Sequence, residues 1–204
     1  MLNVIKKTHS AAVFLRKYGF AGAAILNAGS STVRFGPRSV NVDIQNKRGI
    51  DCRADIHELP FASGTFDLAI VTAVLQYCAY PREVVREIAR VLKPQGLVYV
   101  DAPFVQPYCP DTPDLFRFTR DGLIELFKDC FLIEECDTAI PGGSAAAFYM
   151  QQITETRMSS ANRYLRYAAT LLTSLLVYPF SLINFNRNTH VAGALYLVGR
   201  KRKR

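Results

Sequence analysis

Residues 51–100, DCRADIHELPFASGTFDLAIVTAVLQYCAYPREVVREIARVLKPQGLVYV, constrain the fold of this chain more than any other part of it. Phe66–Thr72 is a short, nearly continuous apolar run rich in β-branched residues, the pattern of a strand buried on both faces. A proline then opens a charged, helically periodic stretch over residues 81–92. Val84, Val85, Ile88 and Val91 fall on one side of it, and Arg82, Glu83, Arg86, Glu87 and Arg90 on the other. Lys93-Pro94-Gln95-Gly96 breaks that helix and leads into a further apolar strand over residues 97–101. Strand, crossover helix and strand in this order form a parallel βαβ unit, so the segment predicts an α/β fold with a mostly parallel sheet.

The same reading extends in both directions. Residues 6–18 predict an amphipathic helix with Ala11, Phe14, Leu15 and Tyr18 on one face, ended by Gly19 and Gly22. Residues 23–28 predict a buried strand running into Gly29-Ser30-Ser31. Residues 39–44 predict a second strand ending at Asp43, and residues 50–54 a third, closed by Asp55. The links between these strands are too short for a crossover helix, so turns are expected to replace the first two helices. Downstream come a proline- and aromatic-rich loop over residues 103–119, a helix over Arg120–Phe127, a strand over residues 131–137 and a Pro141-Gly142-Gly143-Ser144 loop. An apolar helical segment over residues 158–186 precedes a last strand in VAGALYLVGRKRK. The expected organisation is an N-terminal helix within residues 1–22, one domain over residues 23–199 and a basic tail over residues 200–204.

Composition narrows the classes. Half of the 204 residues are hydrophobic, which predicts a full core and argues against disorder. The five cysteines form no CxxC pair, so neither a disulfide framework nor a structural zinc is expected, and no cluster has metal-ligand spacing. Arg16 and Lys17 interrupt the early apolar stretch too soon for a leader, which points to a cytoplasmic protein, with the cytoplasmic membrane face as a peripheral location. The net charge of +8 includes five charges from residues 200–204 alone. That tail reads as a solvated end, an anionic-membrane contact or a nucleic-acid contact. No interleaving of aromatic and basic residues supports the last. Residues 167–186 are uncharged and of membrane-spanning length, but Pro179 and several polar residues dilute them; a packing helix, an interfacial membrane contact and a span all remain open.

Gly29, Asp43 and Asp55 each end one of three successive strands. In doubly wound sheets a ligand lies beyond the carboxyl ends of the strands, where a glycine admits close backbone approach and a carboxylate can accept from a pair of hydroxyls. A ligand-free turn glycine, a solvated strand-end Asp43 and a turn-capping Asp55 are the structural alternatives. GxGxxG does not follow the first strand, which argues against a dinucleotide site.

ADIHELPFASGTFDLAIVTAVLQY followed by REIARVLKPQGLVYVDAPF resembles the class I S-adenosylmethionine (SAM)-dependent methyltransferases of the type 11-like kind. DLFRFTRDGLIELF, PGGSAA and ALYLVGRK resemble a group of these proteins associated with surface polysaccharides, and the resemblance covers residues 23–201. It implies a Rossmann-like doubly wound sheet with an antiparallel C-terminal strand, and SAM as cofactor. It places Asn27, Gly29, Ser31 and Thr72 around the cofactor, Asp43 on the ribose, and Asp55 with Ile56 on the adenine. It further implies methyl transfer to oxygen or nitrogen of a small-molecule or glycan acceptor, lipid-linked acceptors included. Gln76, Tyr77, Arg117 and Arg120 are the candidate acceptor-binding residues. Asp101, Tyr108, Cys109, Asp111 and Asp114 are the candidate bases, while His57 reads as a loop histidine. The chain departs from the family pattern at Asn27 (commonly aspartate), Ser31 (commonly glycine), Gln76-Tyr77 (often Glu-His) and Cys109 (a histidine expected nearby). These departures leave open a second reading, a methyltransferase-like binding or assembly protein without catalysis.

Overall fold

The computed structural model describes residues 7–19, 22–29, 33–110, 112–158, 160, 162–182 and 189–203. Seven strands form one sheet: β1 (Ile25–Ala28), β2 (Ser39–Asp43), β3 (Cys52–Arg53), β4 (Phe66–Thr72), β5 (Leu92–Pro103), β6 (Phe131–Ile140) and β7 (Ala194–Lys201). Their order is β3-β2-β1-β4-β5-β7-β6. Every pairing from β3 to β5 is parallel, and β7 runs antiparallel to both β5 and β6. This is a Rossmann-like doubly wound sheet with an antiparallel C-terminal strand, and strand order reverses at β1/β4. Successive strands are added on opposite sides of that point, so the loops after β1 and β4 diverge and leave a crevice between them.

The two faces of the sheet follow from the period-two alternation of its strands. Leu26, Ala69, Val71, Val98 and Val100 point to one face, where α2 (Pro81–Val91) supplies Val84, Val85 and Ile88, and α3 (Arg120–Phe127) supplies Leu123 and Phe127. Ile25, Leu68, Ile70, Leu97 and Tyr99 point to the other, against Ala11 and Phe14 of α1 (Ala11–Tyr18). Each large side chain so buried contributes roughly 1.5–3 kcal/mol. As expected from the short links, the described residues between β1 and β4 contain no helix. The α1 face is filled instead by rings: His9 stacks on Tyr196 at 3.7 Å between centroids, and Phe14 lies 5.2 Å from Tyr99.

Several boundaries differ from the sequence reading. The first helix begins only at Ala11, because Ser10 caps it by accepting from Val13 N; Gly19, at φ +66°, ends it. β3 shrinks to two residues. Lys93–Gly96 does not separate helix from strand: β5 already pairs at Leu92 with Phe66, and the four residues bulge out before Leu97 pairs with Leu68, with Gln95 at φ +64°. β6 continues to Ile140. Pro141-Gly142-Gly143-Ser144 is not a loop but the start of α4 (Gly142–Arg157). A Cβ on Gly142 would lie 2.7 Å from Val191 Cγ2, so that glycine serves close packing. The apolar segment forms α5 (Arg163–Leu182), and residues 183–186 of the predicted stretch lie outside the described residues. Arg200 and Lys201 belong to β7: Arg200 pairs with Glu134, and Lys201 Nζ donates to Leu92 O. The basic tail proper therefore begins at Arg202.

Candidate functional site

Beyond the carboxyl ends of β1, β2 and β4 the chain leaves a cleft of about 430 Å³, bordered by Gly29, Asp43, Asp55, Ile56, Ala73 and Tyr77. A second cleft of about 270 Å³ shares Gly29 with it and continues past Asn27 and Thr72 to Asp101 and Lys7. Gly29 is thus the saddle of a two-lobed crevice. Its φ is +67°, and a Cβ there would sit 2.1 Å from Val74 Cγ2, so only glycine fits. Its N–H donates to Val42 O at 2.8 Å, which holds the turn against β2.

Asp43 and Asp55 combine both roles that the sequence left open. Asp43 Oδ1 accepts from Gln45 N at 2.9 Å, and Asp55 Oδ1 accepts from His57 N at 2.9 Å, so each carboxylate shapes the turn after its strand while bordering the cleft. His57 N–H holds the Asp55 carboxyl below the usual carboxylate range, and the His57 ring adds to this through Nδ1, 2.6 Å from Oδ1. Because His57 Nε2 accepts from Tyr80 N at 3.4 Å, the ring proton belongs on Nδ1, facing Asp55. His57 is therefore a brace between the cleft carboxylate and the start of α2. The Asp-Ile-His spacing was the signal for it. Cys78, in the cleft wall, behaves as a small apolar residue, since burial pushes its thiol up to about 12.

The second lobe contains what sequence reasoning could not find. Lys7, 94 positions away in the chain, places Nζ 2.7 Å from Asp101 Oδ2, and Asp101 is almost wholly buried. Asn27 is buried too, donating to Val33 O at 2.7 Å and to Asn41 Oδ1 at 3.2 Å, so an amide replaces the commoner carboxylate as a pin between β1 and β2. Thr72 borders this lobe, and its Oγ1 is buried with no hydrogen-bond partner among the described residues. Just after it, Ala73 adopts φ +53° and donates its N–H to Asp101 O at 2.8 Å. A non-glycine residue held in the left-handed region is strained by about 1–2 kcal/mol, and such strain gathers at ligand sites. Ser31 and Asp111 lie outside the described residues.

On the acceptor side, Gln76 is buried. It donates from Nε2 to Ala73 O, and its backbone carbonyl accepts from Leu115 N at 2.8 Å, tying the loop over residues 103–119 to the turn after β4. Tyr77 borders the cleft with its phenol raised by burial and by the Cys109 side chain beside it. Asp114 is locked: Arg117 reaches both its oxygens and Cys109 N donates to Oδ2 at 2.9 Å, so the guanidinium holds this carboxyl below the usual range. Arg117 also donates to Pro107 O at 3.1 Å, which makes the pair a buckle across the loop. Tyr108 is exposed. Arg120 donates to Cys136 O at 3.1 Å, joins α3 to β6, and borders neither cleft. Among the described residues no group of acidic, histidine or cysteine side chains is arranged to hold a metal.

Residues 26–100 match the methyltransferase domain family. A 54-residue stretch is 43% identical to the mitochondrial 2-methoxy-6-polyprenyl-1,4-benzoquinol methylase of Caenorhabditis elegans, covering 26% of this chain and 19% of that protein. The chain thus spans about a fifth of the length of that curated relative. Among solved structures, the fold is similar to the Burkholderia thailandensis 1,6-didemethyltoxoflavin-N1-methyltransferase with 1,6-didemethyltoxoflavin and S-adenosylhomocysteine bound. That match has a TM-score of 0.58 at 14% identity, over 94% of this chain and 76% of that one. It is similar also to a [4+2]-cyclase, with a TM-score of 0.56 at 20% identity over 89% and 76% of the two chains.

Proposed function

We propose that this chain, whose residues 26–100 match the methyltransferase domain family, binds SAM and transfers its methyl group to oxygen or nitrogen of a small-molecule or glycan acceptor. The observation that supports this most is that Gly29, Asp43, Asp55 and Ile56 border one cleft at the switch point of the sheet. The residues suit the cofactor on chemical grounds. The saddle at Gly29 excludes a Cβ, Thr72 borders the second lobe with a hydroxyl that has no partner among the described residues, and two turn-anchored carboxylates border the first.

When bound, the cofactor supplies an electrophilic methyl on a sulfonium; transfer leaves a thioether, and the acceptor heteroatom loses a proton. Asp43 would accept from the ribose hydroxyls, and Asp55, kept ionised by His57, would accept from the adenine amine while Ile56 would pack on the ring. Thr72 and the Lys7–Asp101 pair frame the amino-acid end. Tyr77, with Cys109 beside it, stands at the acceptor opening. Asp101 and Asp114 are both tied into ion pairs, so neither is a free base, and rate enhancement rests on holding the acceptor in line with the methyl.

Those two pairings, together with a fold that also serves a cyclase, favour a second reading in which the cofactor is held but not consumed. Titration calorimetry with S-adenosylhomocysteine tests the first step. The chain should bind, and Asp43→Ala and Asp55→Ala should each weaken binding by about tenfold or more, the loss of a charge-assisted hydrogen bond. Failure of the wild-type chain to bind overturns the proposal. Binding of SAM without conversion by any small-molecule or glycan fraction supports the second reading.

A further inference from the structure

The α4–α5 hairpin is built inside out. Most buried positions of the two helices are small or polar, Ser144 and Gln151 on α4 and Thr170 and Ser174 on α5, and the apolar contact is a small cluster of Val177 with Ala147 and Phe148. Thr154 Oγ1 and Thr173 Oγ1 hydrogen-bond across the pair at 3.1 Å, and Ser174 Oγ donates back to Thr170 O at 2.7 Å. The large apolar side chains face outward instead: Leu171, Leu172, Leu175 and Leu176 on α5, with Met150 and Ile153 on α4. Leu176 is 65% exposed while Ser174, two positions before it, is fully buried. A water-facing helix pair has the opposite pattern. Small residues and hydroxyls between helices, with leucines outside, is the arrangement of helices whose surroundings are lipid.

The turn between the helices adds a charge signature. Arg157, Arg163 and Arg166 are exposed there against a single acid, Glu155, and Tyr164 and Tyr167 stand exposed among them. Arginines and tyrosines bordering a leucine face match a bilayer's headgroup zone, with negative charge opposite the unbalanced arginines. A second copy of the chain would instead meet those arginines with more of the same charge. No helix among the described residues is long and apolar enough to cross a membrane. We infer that the α4–α5 hairpin lies flat on an anionic lipid surface, its leucine face toward the acyl chains and its arginine-tyrosine end among the headgroups.

The position of the hairpin gives this docking a purpose. It springs from the end of β6, where Ile140 pairs with Ala194 and Ala194 with Pro103, so it stands at the carboxyl edge of the sheet, the same edge as the cleft. The tail beginning at Arg202 lies at the other end of β7, about 26 Å away at roughly 3.3 Å per residue, and takes no part. Docking of the hairpin is independent of the methyl-transfer reading; presentation of an acceptor from the lipid surface rests on it.

Sedimentation of the full chain with vesicles tests the docking. The chain should pellet with phosphatidylcholine–phosphatidylserine vesicles and more weakly with phosphatidylcholine alone. Leu172→Asn with Leu176→Asn should reduce binding at least about tenfold. Arg163→Gln with Arg166→Gln should abolish the preference for phosphatidylserine, and removal of residues 202–204 should change nothing. Melting temperature and S-adenosylhomocysteine titration of the same variants should match wild type, since these side chains are exposed and outside the cleft. The inference is overturned if the wild-type chain stays in solution with both vesicles. It is equally overturned if light scattering shows a dimer that the leucine substitutions split.

Discussion

Replacing Gly29 with alanine tests the geometry of the crevice most sharply. The substitution adds one methyl group, and two separate costs follow. The backbone at φ +67° lies in the left-handed region, where a Cβ costs about 1–2 kcal/mol. The new Cβ also meets Val74 Cγ2 at 2.1 Å, so the valine or the turn must move; overpacking of this kind costs about 1–3 kcal/mol. Gly29→Ala should therefore lower unfolding free energy in a denaturant titration by ~2–5 kcal/mol, leaving a domain of ordinary stability still folded. Because Val74 also borders the cleft, the displaced side chain should weaken S-adenosylhomocysteine binding in calorimetry. Val74→Ala separates the two costs. In the double variant the overpacking part should disappear, recovering ~1–3 kcal/mol relative to additive single effects, while the backbone part remains. A Gly29→Ala chain within about 0.5 kcal/mol of wild type, or strict additivity in the double variant, would refute the reasoning.

Two further outcomes are expected. Burial lowers the His9 imidazole below its ordinary value of 6.5, so the unfolded chain binds its proton first. Stability should then be greatest above pH 6.5 and fall as pH drops through the window below it, and His9→Phe, which keeps a ring on Tyr196, should flatten that part of a melting-temperature profile. Glu135 keeps its own effect apart: burial alone would raise its carboxyl, but hydrogen bonds from Lys17, Tyr18 and Tyr196 outweigh that, so its contribution is lost only below about pH 4.5. Arg117→Ala should leave Asp114 buried with Cys109 N–H as its remaining donor. Limited proteolysis should then cut within residues 104–119 several-fold faster, whereas Arg120→Ala, outside that buckle, should leave the cutting rate unchanged.

Local alternation was enough to read much of the molecule. The β4–α2–β5 unit was visible because each of its residues repeats the choice between core and water at a period of two or of 3.6. The three strand-end residues Gly29, Asp43 and Asp55 were visible for a related reason: they sit where those periods stop. Glycine misled where its purpose was contact and not freedom. Gly142 and Gly143 resemble a loop in sequence, yet they begin α4, and at Gly142 the helix packs so closely on Val191 that a Cβ has no room. The bulge at Lys93–Gly96 was hidden likewise, since nothing in four turn-forming residues tells whether the strand before them has already begun.

The sequence by itself determined the fold class, the strand-end carboxylates and the likeness of residues 26–100 to the methyltransferase domain family, all of which follow from patterns spanning a few dozen residues. Tertiary structure alone decided that Lys7 would neutralise Asp101, that His57 would brace Asp55 against the start of α2, and that Asp114 would be locked by Arg117. It also decided which side of the uncharged α5 segment faces out, and that the basic tail starts at the opposite end of β7 from the hairpin. Those outcomes depend on pairings between distant residues, and a local pattern shows that a side chain must be buried or solvated but not which partner it will meet there.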